Sequence, residues 1–526
     1  MGLDHDAARN LIQRVNVGDM LTRVAFARPD SPALVDGARR WTYGQFDAWV
    51  NRLAHGLAAR GWSTGDVLGL ASGNSAEFLA VYYACAKLGL VAVPINLAWR
   101  SAEIAYVLGH SRARGLVVQT QLREAVAPAL AQLPTSLEVI VAPGPDGSRA
   151  DGADPALEEI LVERDDPPVF HIEDRAPLSY LYTSGTTSSP KGVVGTHLNI
   201  YLESVSAALD SGWSAGDRFL AVMPMFHTAQ LNAFCTPAVA VGGQIVIHRG
   251  FDPAGFLDTV EAERITQVFA LPMMFRAALE HDSFGGRDLS SLRRAVYAMA
   301  PMPQAQIKAC LDGFGCEFAL LFGQTEMSPI TTLFRPEHQL SHIGAVGTPL
   351  TGVQVGIMDE SGRLLPRGGT GEIVYRGPST MAGYLHDETA TAAAFEHGWF
   401  HSGDVGRLGE DGVLWFVDRY KDVIKTGGEN VASLEVERAV YDTEPAVAEV
   451  VVVGLPHERW TEAITAVVVP KPGARIDPEA LRAALRDRLD GYKVPKAVIV
   501  VDALPRTSTG KIRKNVVRET HAGHFS

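Results

Sequence analysis

The segment from Thr183 to Lys191, TSGTTSSPK, concentrates groups that bind phosphate oxygens. It holds six Ser or Thr residues, one glycine and one lysine. Hydroxyls and glycine backbone amides can donate hydrogen bonds to a polyphosphate without blocking its approach. The same residue types also form ordinary surface turns. Pro190 precedes Lys191 and Gly192 follows it, unlike the Gly-Lys-Ser/Thr order of P-loop nucleotidases, so a nucleotide bound here would require a different loop.

Four further segments each place a charged side chain in a turn. Glu326 follows the apolar run LLFGQT, where one carboxylate could hold Mg²⁺ against phosphates or could simply face solvent. Asp404 lies in GWFHSGD and Arg419 lies in DRYKD. An acid can accept hydrogen bonds from both ribose hydroxyls, but each of the two residues could equally belong to a structural ion pair. Lys511 lies in the turn STGK, which is also typical of a basic tail. Nucleotide chemistry requires that the fold bring these segments together.

Length and composition narrow the classes of protein. A chain of 526 residues exceeds the size of one hydrophobic core, so two or more domains are expected. The net charge of −13 argues against a general nucleic-acid binder, and any anionic substrate must therefore be met by local basic residues. Four scattered cysteines lack metal-ligand spacing and indicate thiols in a reducing compartment. With no apolar run of signal-peptide or membrane-span length, we expect a cytoplasmic protein without a membrane span.

The hydrophobic patterns predict the elements that position these residues. The stretch from Val67 to Asn96 has the pattern of a βαβ unit, and four more buried-strand patterns follow between 218 and 301. From about Gly344, short strands separated by turns indicate an antiparallel subregion, and the last 100 or so residues alternate helix and strand. The sequence predicts an α/β fold. We expect residues 1–419 to form a large domain of parallel βαβ sheets plus an antiparallel β subregion, and residues 420–526 to form a small α/β lid domain.

Taken together, the motifs resemble one family over nearly the whole length. The segments that carry the resemblance are YTSGTTSSPKG, MPMFHTAQL, LLFGQTE, GTGEIVYRGPSTMAGY, GWFHSGD, VDRYKDVIKTGGENV and PRTSTGKIRK. The chain resembles the adenylate-forming superfamily of acyl- and aryl-CoA ligases, with relatives among luciferases and nonribosomal-peptide adenylation domains. The resemblance implies ATP, Mg²⁺ and coenzyme A as cofactors and a small carboxylic acid as substrate. It implies no nucleic-acid partner and is compatible with a homodimer.

Members of this family catalyse two steps. The acid attacks the α-phosphate of ATP to give acyl-AMP and pyrophosphate, and a thiol then attacks the mixed anhydride. The C-terminal domain rotates between the steps, and the hinge position falls on Lys421. Three hypotheses stay open: a complete acyl- or aryl-CoA ligase, a ligase that performs one half-reaction or loads a carrier-protein thiol, and a non-catalytic nucleotide-binding protein on the same fold.

The resemblance also implies roles for individual residues. Lys511 would bridge the carboxylate and the α-phosphate, and Thr187 and Glu326 would engage Mg²⁺. The implied catalytic set is Lys511, Glu326, Thr187, Lys191 and His227. The implied nucleotide and coenzyme A set is Thr183, Ser184, Gly185, Thr186, Ala300, Pro301, Phe322, Thr325, Asp404, Arg419, Gly428 and Glu429.

By family position, the acid pocket would be mostly apolar. Its implied residues are His227, Thr228, Ala229, Gln230, Phe269, Ala298, Met299 and Gly323. Because no arginine or lysine is among them, the pocket disfavours dicarboxylic acids and favours an aromatic, alicyclic or medium-chain monocarboxylic acid. Gln230 and Thr228 could bind a hydroxyl or carbonyl group on it.

Two positions depart from the family pattern. Ser188 replaces the glycine that usually follows the two threonines of the loop, which restricts the backbone. Met299, in Ala298-Met299-Ala300-Pro301, replaces one of the small glycines expected ahead of Ala-Pro. A methionine at this junction is expected to reshape the acid pocket or to weaken the first half-reaction.

Overall fold

The computed structural model describes residues 5–145, 147–148, 154–183, 190–299, 302–507 and 511–525. Two groups of elements follow each other along the chain. The strands of the first group are β1 (Pro32–Asp36), β2 (Arg39–Thr42), β3 (Val67–Ala71), β4 (Val91–Pro94), β5 (Gly115–Gln119), β6 (Glu138–Ala142), β7 (Pro177–Thr183), β8 (Lys191–Thr196), β9 (Arg218–Ala221), β10 (Gln244–Ile247), β11 (Gln267–Ala270), β12 (Arg294–Tyr297), β13 (Glu317–Gly323), β14 (Ile330–Phe334), β15 (Ala345–Pro349), β16 (Gln354–Met358), β17 (Thr370–Arg376), β18 (Phe400–Leu408) and β19 (Leu414–Arg419).

The helices of the first group are α1 (His5–Gln13), α2 (Val17–Ala27), α3 (Tyr43–Ala59), α4 (Ala76–Leu88), α5 (Ser101–His110), α6 (Arg123–Leu130), α7 (His197–Ser211), α8 (Thr228–Gln230), α9 (Thr236–Val241), α10 (Pro253–Ala262), α11 (Pro272–Leu279), α12 (Gln304–Phe314) and α13 (Glu388–Ala394). The second group contains β20 (Ile424–Thr426), β21 (Glu429–Val431), α14 (Ser433–Thr443), β22 (Val447–His457), β23 (Thr461–Pro470), α15 (Pro478–Leu485), β24 (Ala497–Val500) and α16 (Lys514–His521).

The predicted βαβ unit is confirmed as β3, α4 and β4. Ser75 caps α4 by accepting a hydrogen bond from the Phe78 N–H, and Gly89, with φ of 74°, ends it in the left-handed conformation that glycine adopts without strain. Every residue of α4 is buried, which explains why its sequence is apolar around most of the helix. Among the described residues, β6, β5, β3, β4 and β7 form a parallel sheet, to which β8 adds antiparallel to β7.

The second sheet supplies the edge on which the candidate site lies. In the described part of the chain its order is β16-β17-β18-β19-β15-β14-β13-β12-β11-β9-β10-β1-β2. The neighbouring strands from β13 to β1 along this path are parallel, and β2 pairs antiparallel with β1 at one edge. From β14 to β16, toward the other edge, the pairing is antiparallel. The predicted antiparallel subregion therefore begins at Ile330, ahead of the predicted start near Gly344, because the chain reverses directly after β13.

The C-terminal elements form the small α/β unit that the sequence predicts. Within the described residues, β20 to β24 make a five-stranded sheet whose apolar core includes Val436 of α14 and Leu481 of α15. The predicted boundary between residues 419 and 420 falls where β19 ends and a turn begins. In the part of the chain that the structure describes, no helix is long and apolar enough to span a bilayer.

Candidate active site

The carboxyl ends of four parallel strands place predicted residues along one edge of the sheet. His227 follows β9, Phe269 lies on β11, Met299 follows β12, and Phe322 and Gly323 end β13. Side chains that follow neighbouring parallel strands meet at the same edge, which is the usual ligand-binding edge of such sheets. This topology explains how segments about 100 residues apart in sequence can form one site.

The two ends of the predicted phosphate loop face each other across a hairpin. Thr183, the last residue of β7, pairs with Lys191, the first residue of β8. The Lys191 ammonium lies 4.8 Å from the centroid of the Tyr384 ring, a cation–π contact. The loop positions Ser184, Gly185, Thr186, Thr187 and Ser188 lie outside the described residues.

Tyr384 is a residue that the sequence reasoning missed. Its hydroxyl donates a 3.0 Å hydrogen bond to Glu326 Oε1, so Tyr384 links the base of the phosphate hairpin to the predicted metal ligand. The segment that carries Tyr384 runs along β8: the Val194 N–H donates to Gly383 O, and the Leu385 N–H donates to Gly192 O. The available signal was the position of Tyr384 at the end of the motif MAGY.

Glu326 lies in a single 3₁₀ turn, Thr325–Met327, directly after β13. The Met381 N–H donates a 2.7 Å hydrogen bond to the Glu326 carbonyl and fixes this turn. Magnesium is usually held by one or two carboxylates together with substrate phosphates, so a half-buried carboxylate beside the phosphate hairpin fits this ion. Among the described residues, no group of three or more His, Cys, Asp or Glu is arranged to hold a metal.

Asp404 and Arg419 are brought together by strand pairing. They are register partners in β18 and β19, and Arg419 Nε lies 3.4 Å from Asp404 Oδ1. The Asp404 side chain is 8% exposed and that of Arg419 is 45% exposed. Burial raises the pKa of Asp404 to about 6, and the positive charges of Arg419 and Lys511 oppose that rise. Asp404, the predicted acceptor of hydrogen bonds from the ribose hydroxyls, is therefore poorly solvated and has a cationic neighbour.

Lys511, from the C-terminal elements, belongs to the same electrostatic cluster. Desolvation by the surrounding protein and the positive charge of Arg419 together lower its pKa to about 8, while the negative charges of Asp404 and Glu326 oppose the shift. The side chain is nevertheless solvent-exposed, so solvation moderates this depression of the pKa. The structure thus places Lys511 within charge–charge range of the predicted ribose and metal residues.

His227 is a neutral ring beside this cluster. Its Nδ1 accepts a hydrogen bond from the Ala229 N–H at 3.1 Å. Desolvation and, to a smaller extent, the positive charge of Lys511 lower the His227 pKa to about 3. Because Nδ1 is the acceptor, the neutral ring carries its proton on Nε2, which can donate a hydrogen bond to a ligand oxygen.

The other predicted acid-pocket residues differ in how available their polar groups are. Gln230 is fully buried; its Oε1 accepts a hydrogen bond from the Met223 N–H, and its Nε2 donates one to Cys235 Sγ. Thr228 Oγ1 accepts a hydrogen bond from the Asn232 side-chain amide. Phe269 packs on Phe234 in the core, and Ala298 is 7% exposed. Ala229 is half-buried. The roles proposed for Gln230 and Thr228 in acid recognition remain predictions.

Met299 and Gly323 have unusual backbones at this edge. Met299 has φ of 69°, in the left-handed region that favours glycine, and its half-buried side chain packs on the main core. Gly323 is required by close approach, because a Cβ there would lie 2.0 Å from the Pro329 carbonyl oxygen. Phe322 is half-buried, with its ring centroid 5.5 Å from that of Phe416.

The remaining predicted nucleotide and coenzyme A residues are not all described. Ala300 and Pro301 lie outside the described residues, whereas Thr325 is half-buried in the turn with Glu326. Gly428 and Glu429 are exposed at the tip of the β20–β21 hairpin, next to Gly427, which packs on Trp460. Lys511 interacts electrostatically with Asp404 and Glu326 in this conformation.

Comparison with known proteins identifies the family. The profile of the AMP-binding enzyme family matches residues 21–385, and that of the AMP-binding enzyme C-terminal domain matches residues 435–511. The chain belongs to the AMP-binding enzymes. A feruloyl-CoA synthase from Amycolatopsis sp. is 37% identical over 502 residues, which are 95% of this chain and 98% of that protein. A fatty acid–[acyl-carrier-protein] ligase, ScoC, from Streptomyces coeruleorubidus is 33% identical over 94% of each chain.

The solved structures agree with this assignment. ATP-bound MatB from Rhodopseudomonas palustris is 29% identical, with a TM-score of 0.88 over 97% of this chain and 100% of that one. Apo MatB from the same organism is 28% identical, with a TM-score of 0.79 over 98% of this chain and 100% of that one. The protein is an AMP-forming acid–thiol ligase that activates an acid to acyl-AMP and forms the CoA thioester. The predicted fold class, reaction and enzyme class are confirmed.

Proposed function

We propose that the acid is an aromatic, alicyclic or medium-chain monocarboxylic acid, and that Lys511, Glu326, Asp404 and Arg419 perform the first half-reaction. The observation that carries this proposal is the electrostatic cluster itself. Lys511, from the C-terminal elements, lies within charge–charge range of the buried Asp404 and of Glu326, which Tyr384 links to the base of the phosphate hairpin.

In the first step a carboxylate oxygen of the acid attacks the α-phosphorus of ATP, and the bond from that phosphorus to the pyrophosphate oxygen breaks. Lys511 donates to the acid and to the α-phosphate, which reduces their mutual repulsion and stabilises the charge that develops at phosphorus. Because His227 Nδ1 accepts from the Ala229 N–H, the Nε2–H would orient an oxygen of the acid or of the phosphate. Glu326, held by Tyr384, would ligate Mg²⁺ together with Thr187, and the ion would supply charge neutralisation on the pyrophosphate leaving group.

The second step requires a different face of the C-terminal domain. We infer that rotation about Lys421 withdraws Lys511 and brings the hairpin of Gly428 and Glu429 to the thiol entry path. Lys421 lies in the turn between β19 and β20, and the hairpin is exposed in the present conformation. Separating the two sets of groups lets the enzyme protect a reactive anhydride from water.

The acid and the thiol are proposed from the pocket residues and from the relatives. The predicted pocket contains apolar residues and no lysine or arginine, and the feruloyl-CoA synthase relative supports a monocarboxylic acid of aryl type. Coenzyme A is the thiol. A carrier-protein thiol is the alternative, supported by the carrier-protein ligase relative. A cytoplasmic location and a homodimer are retained as predictions.

An acid panel tests this proposal. The protein is incubated with ATP, Mg²⁺ and aromatic, alicyclic, medium-chain or dicarboxylic acids, and AMP and thioester are quantified with and without coenzyme A. With at least one class of monocarboxylic acid, we expect the amount of AMP to increase when coenzyme A is added and to equal the amount of thioester formed. Dicarboxylic acids of equal length should give little AMP or thioester. Turnover only with dicarboxylic acids would refute the pocket assignment. Replacement of coenzyme A by a phosphopantetheinylated carrier protein distinguishes the two thiols.

A further inference from the structure

Outside the candidate active site, one buried carboxylate lacks a neutralising partner among the residues that the structure describes. Glu203, on α7, is 1% exposed, and within the described residues neither of its carboxylate oxygens makes a hydrogen bond of normal geometry. Burial raises the Glu203 pKa well above its usual value, and the nearby Ile330 N–H opposes the rise only in part. An unpaired buried carboxylate is costly and normally indicates a bound proton, water or ion.

Glu203 lines a small cavity that contains a second unsatisfied oxygen. The cavity lies between α7, residues 350–353 and residues 378–379, and it has room for one body of the size of a water molecule. Ser379 also lines it, is 4% exposed, and its Oγ has no hydrogen-bond partner among the described residues. The hydroxyls of Ser206 and Thr351 belong to lining residues as well. Such a volume holds one water molecule or one bare ion of similar size.

We propose that this cavity binds one monovalent cation, K⁺ or Na⁺, with Glu203 as the charged ligand and Ser379 as a neutral ligand. One carboxylate supplies a single negative charge, which matches a monovalent ion. Hydroxyl and peptide oxygens are the neutral ligands that hard cations accept. Magnesium fits poorly, because it retains several of its waters and the cavity has room for one small body. This inference is independent of the acid and thiol assignments above.

The position of the cavity gives the ion a structural task. Ser379 precedes Thr380 and Met381, and Met381 donates its N–H to the carbonyl of Glu326. On the other side, Asn199 of α7 donates its side-chain amide to Thr380 O at 3.1 Å. A cation held by Glu203 and Ser379 would therefore tie α7 to the segment that fixes the Glu326 turn.

The test measures thermal unfolding in choline chloride titrated with KCl or NaCl at constant chloride. The wild-type Tm is expected to rise saturably by about 2–5 °C with the ion that binds, as for a ligand specific to the folded state. Glu203→Gln should abolish the rise. Glu77→Gln removes another buried carboxylate, one paired with Arg39, and should retain the rise. Ser379→Ala should move half-saturation to higher cation concentration by about tenfold.

The opposite results would overturn the proposal. If K⁺ and Na⁺ act no differently from choline, Glu203 carries a proton and the cavity holds at most water. A full cation response in Glu203→Gln would place any ion elsewhere. Should Glu203→Gln fail to fold, Ser379→Ala and anomalous scattering from Tl⁺-soaked wild-type crystals decide the matter: a Tl⁺ peak beside Glu203 supports the site, and its absence refutes it.

Discussion

Met299 adopts a backbone conformation that suits glycine, and replacing it separates two energetic effects. Met299→Gly should release left-handed strain of about 1–2 kcal/mol. It should also lose about 1–2 kcal/mol of partial burial, since full burial of a methionine is worth roughly 1.5–3 kcal/mol. The added freedom of the unfolded chain costs about 0.4–1 kcal/mol more. The variant should therefore lie within about 1–2 kcal/mol of the wild type, slightly on the less stable side.

Met299→Ala is the matched control, because it loses the same side chain but keeps a Cβ at φ of 69°. Urea unfolding should show the alanine variant to be less stable than the glycine variant by about 0.5–1 kcal/mol. If alanine were equally or more stable, the strain argument would be wrong.

The same two variants test the site. If the methionine side chain separates the adenine and acid pockets, both should change acid preference or raise adenylation relative to thioester formation. Half-reaction rates on an acid panel measure this. Unchanged rates and preference in both folded variants would mean that Met299 packs away from the reacting groups.

Three further predictions concern the hinge, the metal ligand and the ribose acid. Lys421→Pro stiffens the turn after β19 and should slow thioester formation more than adenylation, whereas the control Lys421→Ala should not. Wild-type rates of both steps in the proline variant would mean that the hinge lies elsewhere. Tyr384→Phe keeps the ring near Lys191 but removes the hydrogen bond to Glu326, so the adenylation rate should fall about tenfold and half-saturation should require more Mg²⁺. An unchanged Mg²⁺ dependence would mean that Tyr384 does not support metal binding. Because burial raises the Asp404 pKa to about 6, its carboxylate form is lost as pH falls through about 6, so KM for ATP should rise there in the wild type, and Asp404→Asn should lack that dependence. A variant that kept the dependence would assign it to another group.

The sequence predicted the elements better than their arrangement. The βαβ unit from Val67 and the C-terminal alternation of helix and strand are confirmed, because buried parallel strands and amphipathic helices leave local patterns. The reversal after β13 was placed too late, since the start of antiparallel pairing at Ile330 depends on the neighbouring strand and not on local composition.

The candidate site shows the same division between local and tertiary information. Asp404 and Arg419 could be proposed from short motifs, and strand register then makes them partners. Tyr384 could not be assigned a role, because its contacts with Lys191 and Glu326 exist only after residues 382–385 align along β8. Glu203 gave no signal either, because a glutamate in an amphipathic helix is usually solvated and its burial follows from tertiary packing.

The central claim is that Lys511 serves adenylation and leaves the site before the thiol reacts. The most direct test compares Lys511→Ala with Lys471→Ala, an exposed lysine elsewhere in the C-terminal domain, in two separate assays. Acyl-AMP formation from acid and ATP should fall about 10²- to 10³-fold in Lys511→Ala only. Thioester formation from synthetic acyl-AMP and coenzyme A should stay within about twofold of the wild type in both variants. Equal loss of both half-reactions in Lys511→Ala would contradict the account.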